Sequence, residues 1–284
     1  MLFRYQIKAR LVLVLSSCLL AVMTITPLHA EIDELYKLSI GTSLANFNSK
    51  ININSVDGSN GNGTDLEDDM GFDSTVNSLW LSGTYRVGDN HRLRLTYLPI
   101  RRTAFKLTEK DFNVNNTTIK AGATIAWDSS INIFDFSYIY SVYRKPNLEV
   151  GVSFGLYWLS SENKLLTSGN IIVDGDTTPV FKSDYRVKLK FEAPLPLIGV
   201  KADYEITPNW RTHGSLRYLD LTIDNITGKI MSADFGTEYY FTRSWGVGTS
   251  LAYFSLNVDR SGVVFKNAIE WSHNELLLYG VFKY

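Results

Sequence analysis

His273 and Glu275 stand two residues apart in Trp271-Ser272-His273-Asn274-Glu275. That spacing puts both side chains on one face of a β-strand. An imidazole beside a carboxylate can take up or release a proton in general acid–base chemistry. Trp271 precedes the pair on the same face, while Ser272 and Asn274 point the other way, so no nucleophile is assigned to it. A G-x-S-x-G element, the turn that presents a serine nucleophile in many hydrolases, is absent from the sequence. The other histidines past residue 30, His91 and His213, sit beside short turns. A structural contact is the more economical reading, and His273 and Glu275 stay weak catalytic candidates.

Two further groups could bind. Asp65, Glu67, Asp68 and Asp69, followed by Asp73, form an acidic run. Clustered carboxylates can hold Ca²⁺, which takes six to eight oxygen ligands, but the run lacks EF-hand spacing and is equally compatible with a solvated loop base. No metal and no cofactor is assigned. The second group is charged residues of one parity: Arg92, Arg94, Asp135, Glu149, Lys201, Asp203, Glu205, Arg211, Arg217, Asp234 and Glu238. If that face is enclosed, these side chains either line a selective path or pair with one another and fill the space.

The elements that position these residues follow a period of two. Leu148, Val150, Val152, Phe154, Leu156 and Trp158 alternate with Glu149, Gly151, Ser153, Gly155 and Tyr157. Ile198, Val200, Ala202, Tyr204 and Ile206 alternate with Gly199, Lys201, Asp203 and Glu205. Such alternation marks half-apolar strands. Ten segments show it, at about 34–46, 75–87, 91–106, 131–144, 147–161, 195–206, 209–223, 229–241, 245–257 and 269–284. Tight connections rich in Gly, Pro, Asn, Asp and Ser alternate with long polar ones at 47–74, 107–130 and 162–194 and modest ones near 225–228 and 259–262. This rhythm predicts an all-β, up-and-down antiparallel transmembrane β-barrel of about ten strands, with eight or twelve as alternatives.

Composition separates this from a soluble barrel. Aromatic residues make up 13% of the chain, with 16 Tyr and 15 Phe. A soluble barrel would pack those rings inside, yet the polar face is small and charged, which suits a narrow hydrated lumen. Tyr85, Tyr143, Trp210, Phe241, Trp245, Phe282 and Tyr284 fall beside the short turns, as an interfacial girdle should. With 28 basic against 29 acidic residues the chain is no basic nucleic-acid binder.

Residues 1–30 read as a cleaved export signal. Arg4, Lys8 and Arg10 precede an apolar run from Leu11 to Thr26, and Ala30 supplies the small residue before the cut. The run is shorter than the roughly 20 residues of a spanning helix. Leu15-Ser16-Ser17-Cys18 has the look of a lipobox, but apolar residues continue past Cys18, where a lipoprotein turns polar. Cleavage removes the single cysteine, so residues 31–284, the expected barrel domain, have no disulfide to rely on.

The final strand carries Leu276, Leu278, Gly280, Phe282 and Tyr284 at alternate positions. It resembles the assembly signal of bacterial outer-membrane barrels, which implies that Phe282 and Tyr284 are read by the barrel-assembly machinery. The blocks Asp65-Leu66-Glu67-Asp68-Asp69-Met70-Gly71, Leu81-Ser82-Gly83-Thr84-Tyr85-Arg86, His91-Arg92-Leu93-Arg94-Leu95-Thr96-Tyr97 and Ala193-Pro194-Leu195-Pro196-Leu197 are similar to a broad group of small proteobacterial outer-membrane β-barrel proteins, mostly of unassigned role. The resemblance implies architecture and location: a monomer in the cell outer membrane, long loops extracellular and both termini periplasmic, surrounded by outer-membrane lipid and lipopolysaccharide. The acidic run could then bridge through divalent ions to lipopolysaccharide phosphates. The expected role is structural or surface-exposed and non-enzymatic, with small solutes bound or passed. A narrow passive pore and a lipid- or peptide-hydrolysing enzyme stand as alternatives. Barrels near eight strands are filled by their own side chains, so a plugged lumen is favoured over a pore.

Overall fold

The computed structural model describes residues 32–53, 64–109, 111–114, 117–173, 176, 178–223, 226–261 and 266–284. The expected export signal, with Cys18, lies outside the described residues. Alternation becomes strand throughout: β1 (Tyr36–Ile53), β2 (Thr64–Asp65), β3 (Thr75–Gly88), β4 (His91–Leu107), β5 (Phe112–Val114), β6 (Thr117–Ile119), β7 (Thr124–Lys145), β8 (Leu148–Val173), β9 (Val180–Thr207), β10 (Trp210–Ile223), β11 (Ile226–Tyr240), β12 (Trp245–Ser261) and β13 (Lys266–Lys283). No helix occurs among the described residues.

Ten of these strands close a ring in the order β1, β3, β4, β7, β8, β9, β10, β11, β12, β13. Every neighbouring pair is antiparallel, and β13 returns to β1 through a register that runs from Lys37↔Lys283 to Ile53↔Asn267. Closure leaves no sheet edge, which is how a barrel without disulfides satisfies its backbone in a hydrocarbon solvent. All ten expected segments are barrel strands. Residues 89–90, 146–147, 208–209 and 241–244 make the short-turn end.

The other end is more ordered than the sequence suggested. Strands β8 and β9 run for 26 and 28 residues, more than twice the roughly 9–11 that cross a bilayer. Most of the stretch expected as a loop at 162–194 is therefore paired hairpin. Its polar composition hid a regular alternation: Leu165, Val187 and Leu189 face inward while Lys164, Lys188 and Lys190 face out. Strand β7 begins at Thr124, inside the expected loop at 107–130, and the small β5–β6 hairpin adds to the upper edge of β8. Met70 and Phe72, from the first long connection, pack with Trp127, Ile125, Leu165 and Ile171 into a compact apolar cluster at this end.

The outer wall is apolar. Phe235 and Leu251 are 64% and 63% exposed, and Leu38, Ile40, Val87 and Val247 are more than half exposed. Soluble monomers rarely leave contiguous apolar patches beyond a few hundred Å², whereas this wall belongs against lipid. Tyr85, Tyr143, Trp210, Phe241, Trp245 and Tyr284 point outward around the short-turn end, with Phe282 half-buried among them. The interior departs from the expected hydrated lumen. Phe47, Tyr157, Phe254 and Trp271 turn inward and join Leu98, Ile100, Ile133, Leu159 and Leu256 in a buried apolar core within the barrel. Along β4, Tyr97-Leu98-Pro99-Ile100 is apolar on both faces because both faces there meet apolar surroundings.

Candidate functional site

The charged residues of one parity all project into the barrel, where they form tiers above the short-turn end. In the first, the Glu149 carboxylate is fully buried. It accepts from Arg86 Nη2 at 2.8 Å and Nη1 at 3.2 Å, lies 3.3 Å from Arg92 Nε, and takes a hydrogen bond from the Ser141 hydroxyl. Beside it, Glu34, just ahead of β1, receives both Nη1 and Nη2 of Arg211, at 2.7 and 3.0 Å. Burial raises the Glu34 pKa, but the Arg211 charge and its hydrogen bonds outweigh that and hold the carboxyl below the usual glutamate value. Arg86 Nη2 also donates to the Ile32 carbonyl at 2.7 Å, and Asp33 pairs with Arg144. Residues 32–34 are thereby clasped across the short-turn mouth.

The second tier joins strands that are not neighbours in the ring. Arg92 of β4 reaches Asp203 of β9 at 2.8 Å, and Lys201 shares that carboxylate at 2.6 Å. Lys37 of β1 reaches Glu238 of β11 at 3.0 Å, and Glu238 also accepts from Tyr240 at 2.6 Å and Tyr279 at 3.2 Å. His213 Nδ1 stands 4.0 Å from Glu238, beyond hydrogen-bond range. The Tyr279 ring lies over Gly248, its partner across the ladder, where a Cβ would meet the ring at 2.4 Å. Glu205, the ladder partner of Arg211, is half-buried.

In the third tier Arg217 of β10 donates from Nη1 to Asp135 Oδ1 of β7 at 2.8 Å, its Nη2 stands 2.7 Å from Oδ2, and Nη2 also donates to Ser232. Ser137 donates to the same carboxylate at 2.8 Å, and Arg94 stands 3.7 Å from it. Asp234 accepts from Ser215. Gly155 leaves room for the Ser137 hydroxyl, which a Cβ there would approach to 3.0 Å. Between the tiers and the rings above is a cavity of about 140 Å³ whose lining includes Arg94, Asp234, His213 and Tyr279.

Above it the filling changes character. Tyr157 of β8 stacks on Phe254 of β12 at 4.7 Å and 14°, a contact between walls four strands apart around the ring. His273 lies on Phe254 at 5.3 Å and beside Phe47 and Trp271 at 5.1 and 5.5 Å, while its Nε2 meets Glu275 Oε1 at 2.8 Å. The histidine–glutamate pair therefore exists, 3% and 7% exposed, with three aromatic rings around the imidazole. Higher still, the Arg102 guanidinium sits between Phe47 and Phe72, 4.8 and 4.9 Å from their centroids, and binds Glu67.

The acidic run is occupied by this cover. Glu67 also accepts from the Ser49 amide at 2.8 Å, Asp65 accepts from the amides of Glu67 and Asp68, and Asp69 accepts from the amide of Asp65. Asp73 offers its carbonyl to Arg102. Among the described residues no group of three or more His, Cys, Asp or Glu is placed to hold a metal ion. Sequence reasoning passed over Glu34, Lys37, Arg86, Arg102 and Tyr279. Arg86 and Arg102 share the parity of their inward neighbours and were findable on that signal. Glu34 opens the segment at 34–46 on the parity of the outward Leu38 and Ile40, so alternation alone points it to the wrong face. Phe282 and Tyr284 contact Trp245 and Tyr36 on the outer wall, at ring distances of 4.8 and 5.3 Å.

No protein-family model matches the chain, and no curated protein sequence is detectably similar to it. Solved structures share its fold. The outer membrane protease OmpT of Escherichia coli superposes with a TM-score of 0.53 at 12% identity, over 92% of this chain and 99% of that one. Two others superpose more loosely: OprG, an outer membrane protein of Pseudomonas aeruginosa (TM-score 0.37, 9% identity, 91% and 98% covered), and Ail, the attachment invasion locus protein of Yersinia pestis (0.32, 10%, 90% and 100%). At 12% identity the likeness to OmpT is one of fold alone, an outer-membrane type of β-barrel.

Proposed function

We propose that this chain is an integral outer-membrane barrel with a closed lumen, a non-enzymatic structural element that displays a rigid hairpin platform. Its short turns face the periplasm, and its long connections and the β8–β9 hairpin face the outside. The apolar wall and aromatic ring are matched to lipid, and Phe282 and Tyr284 would serve the assembly machinery. The observation that carries the closed reading is the direct contact, through the lumen, of strands that are not neighbours in the ring. Arg217–Asp135, Arg92–Asp203 and Lys37–Glu238 each join strands three apart around the ring, and Tyr157–Phe254 joins strands four apart. Such contacts cross the lumen and leave a pocket of about 140 Å³ where a channel would run.

Planar-bilayer recording on the purified protein tests this: a silent membrane is expected, and discrete single-channel steps would overturn it. The fold shared with an outer membrane protease, together with the His273–Glu275 pair, favours peptide hydrolysis as the second reading. That reading gains if the wild type cleaves peptides in vesicles and His273→Ala does not. Against it, the imidazole is walled by Phe47, Phe254 and Trp271 rather than open to a peptide.

A further inference from the structure

Above the membrane rim the outward face of β4, β7, β8 and β9 turns apolar a second time. The ladders place Phe105 opposite Ala126 and Ala126 opposite Leu166, with Leu107 opposite Thr124 in the next row up. All lie on the outward parity, because Ala104, Ile125 and Leu165 beside them are buried inside. Phe105 is 77% exposed, Leu107 59% and Leu166 41%. On the other walls the outward positions above the rim are polar: Asn46 and Asn48 on β1, Asp220 on β10, Asn257 on β12 and Asn274 on β13. Height keeps lipid away from the patch. Tyr97, Phe134 and Trp158 form the rim row of this same face. Phe105 stands eight residues above Tyr97, about 26 Å along the strand and about 20 Å along the membrane normal at the usual barrel tilt. Headgroups reach only roughly 5–8 Å past the hydrocarbon core. Apolar side chains grouped in water and rimmed by polar ones mark a contact between proteins.

The charges below and beside the patch select the partner. They carry both signs: Glu162 meets Lys188 and Lys190 at 3.0 and 3.4 Å, Asp184 meets Arg186 at 2.9 Å, and Asp128 lies opposite Lys164. A partner surface of one sign would be repelled by half of these side chains. A second copy brings acids for the bases and bases for the acids. Copies in one membrane also share one height, so a two-fold axis along the membrane normal sets patch against patch. Four strands about 4.8 Å apart make the face about 19 Å wide, and Arg101 to Leu107 runs for about 23 Å. Two copies thus cover on the order of 900 Å², which the rim row below extends to the roughly 1,000 Å² that a specific interface needs. We propose that this chain pairs with a second copy in the same membrane through Phe105, Leu107 and Leu166, the two hairpin platforms packing outer face to outer face. The pairing rests on the membrane reading above and departs from the monomer expected from the sequence.

Sedimentation equilibrium of the full barrel in a density-matched detergent tests this, with a dimer expected for the wild type. Burial of one Phe or Leu side chain is worth about 10-fold or more in an equilibrium constant, and a two-fold interface loses each one twice. The Phe105→Ser, Leu107→Ser variant should therefore dimerise at least ~100-fold more weakly. Asp128→Lys with Glu162→Lys leaves the charges below the patch basic and should weaken pairing ~10-fold at low salt. Phe235→Ser, on the lipid-facing wall of β11, should match the wild type. A wild type that stays monomeric at the highest concentration reached would overturn the pairing. A dimer that the Phe105→Ser, Leu107→Ser variant keeps in full would overturn this face as its seat, and a dimer indifferent to the charge reversal would overturn the match of acids to bases. Folding is read separately, from the heat-modifiable band in phosphatidylcholine vesicles. A wild type that gives no such band would overturn the membrane reading, and the pairing with it.

Discussion

Replacement of Asp135 by alanine separates a packed interior from a wet one by the size of its effect. Asp135 is 5% exposed and Arg217 is 4% exposed, and one hydrogen bond and a second close ionic contact join them, with Ser137 on the same carboxylate and Arg94 close by. In a packed lumen the substitution strands a buried guanidinium and costs about 3–5 kcal/mol. In a water-filled lumen the same pair is screened and is worth about 1 kcal/mol or less. Urea unfolding in vesicles, followed by the shift between folded and unfolded bands on unboiled gels, reads the difference directly. A second variant keeps the measurement clean: Asp135→Ala with Arg217→Met removes both charges, and an apolar pair in place of a buried ion pair is often neutral or stabilising. The double variant should recover most of the loss, giving a coupling energy of about 2–3 kcal/mol. A loss below about 1 kcal/mol for Asp135→Ala, or a double variant as damaged as the two single losses combined, would refute the packed lumen.

The aromatic tier and the short-turn mouth give two more outcomes. Tyr157→Ala with Phe254→Ala removes the stack that bridges the walls; each truncation should cost about 3–5 kcal/mol, and if that tier seals the lumen the variant shows brief conductance steps that the wild type lacks. Glu34 supplies a pH dependence. Its folded pKa lies below the ordinary glutamate value of 4.5, so its contribution is fully present above that pH and is lost as pH falls through the folded value. The stability gap between wild type and Glu34→Gln should thus be constant above pH 4.5 and narrow below it; a gap that persists unchanged in strong acid would rule out the ionised clasp on Arg211.

What could be read from the sequence was whatever period two encodes directly. Leu148 to Trp158 declares a strand and its lipid face, and the inward charges from Arg92 to Glu238 follow from parity alone. Period two fails where both faces are apolar, as at Tyr97-Leu98-Pro99-Ile100, because alternation needs contrast between faces. It also misleads where the outer face leaves the membrane. At Lys188-Leu189-Lys190 the polar partner of each apolar residue is a lysine, and the high charge density reads as loop although the alternation is intact. His273 and Glu275 were legible as a pair, being two residues apart. The rings that enclose the imidazole come from β1, β12 and β13 and meet only through closure of the barrel. Arg86 and Glu149, 63 residues apart, could be assigned to one face but not to one another.

The two fillings of the lumen do different work in specifying the fold. A slip of one residue in any ladder turns its inward side chains out. In the lower half that slip would carry Arg92, Lys201 or Arg217 toward hydrocarbon, where a cation costs about 2–4 kcal/mol at the midplane and about 0–1 kcal/mol near the interface. In the upper half, Leu98, Ile100 or Leu159 would exchange one apolar neighbourhood for another at little cost. The ionic half therefore sets register for strands whose aromatic halves cannot, and the aromatic half seals what the ion pairs align. Stability and specificity come apart in the Asp135→Ala, Arg217→Met variant: it should unfold in urea much like the wild type yet refold with a lower yield of the single compact band, since two strands have lost the residues that penalise a slip. A refolding yield equal to the wild type would remove register from the list of things the ion pairs do, and leave them as filler.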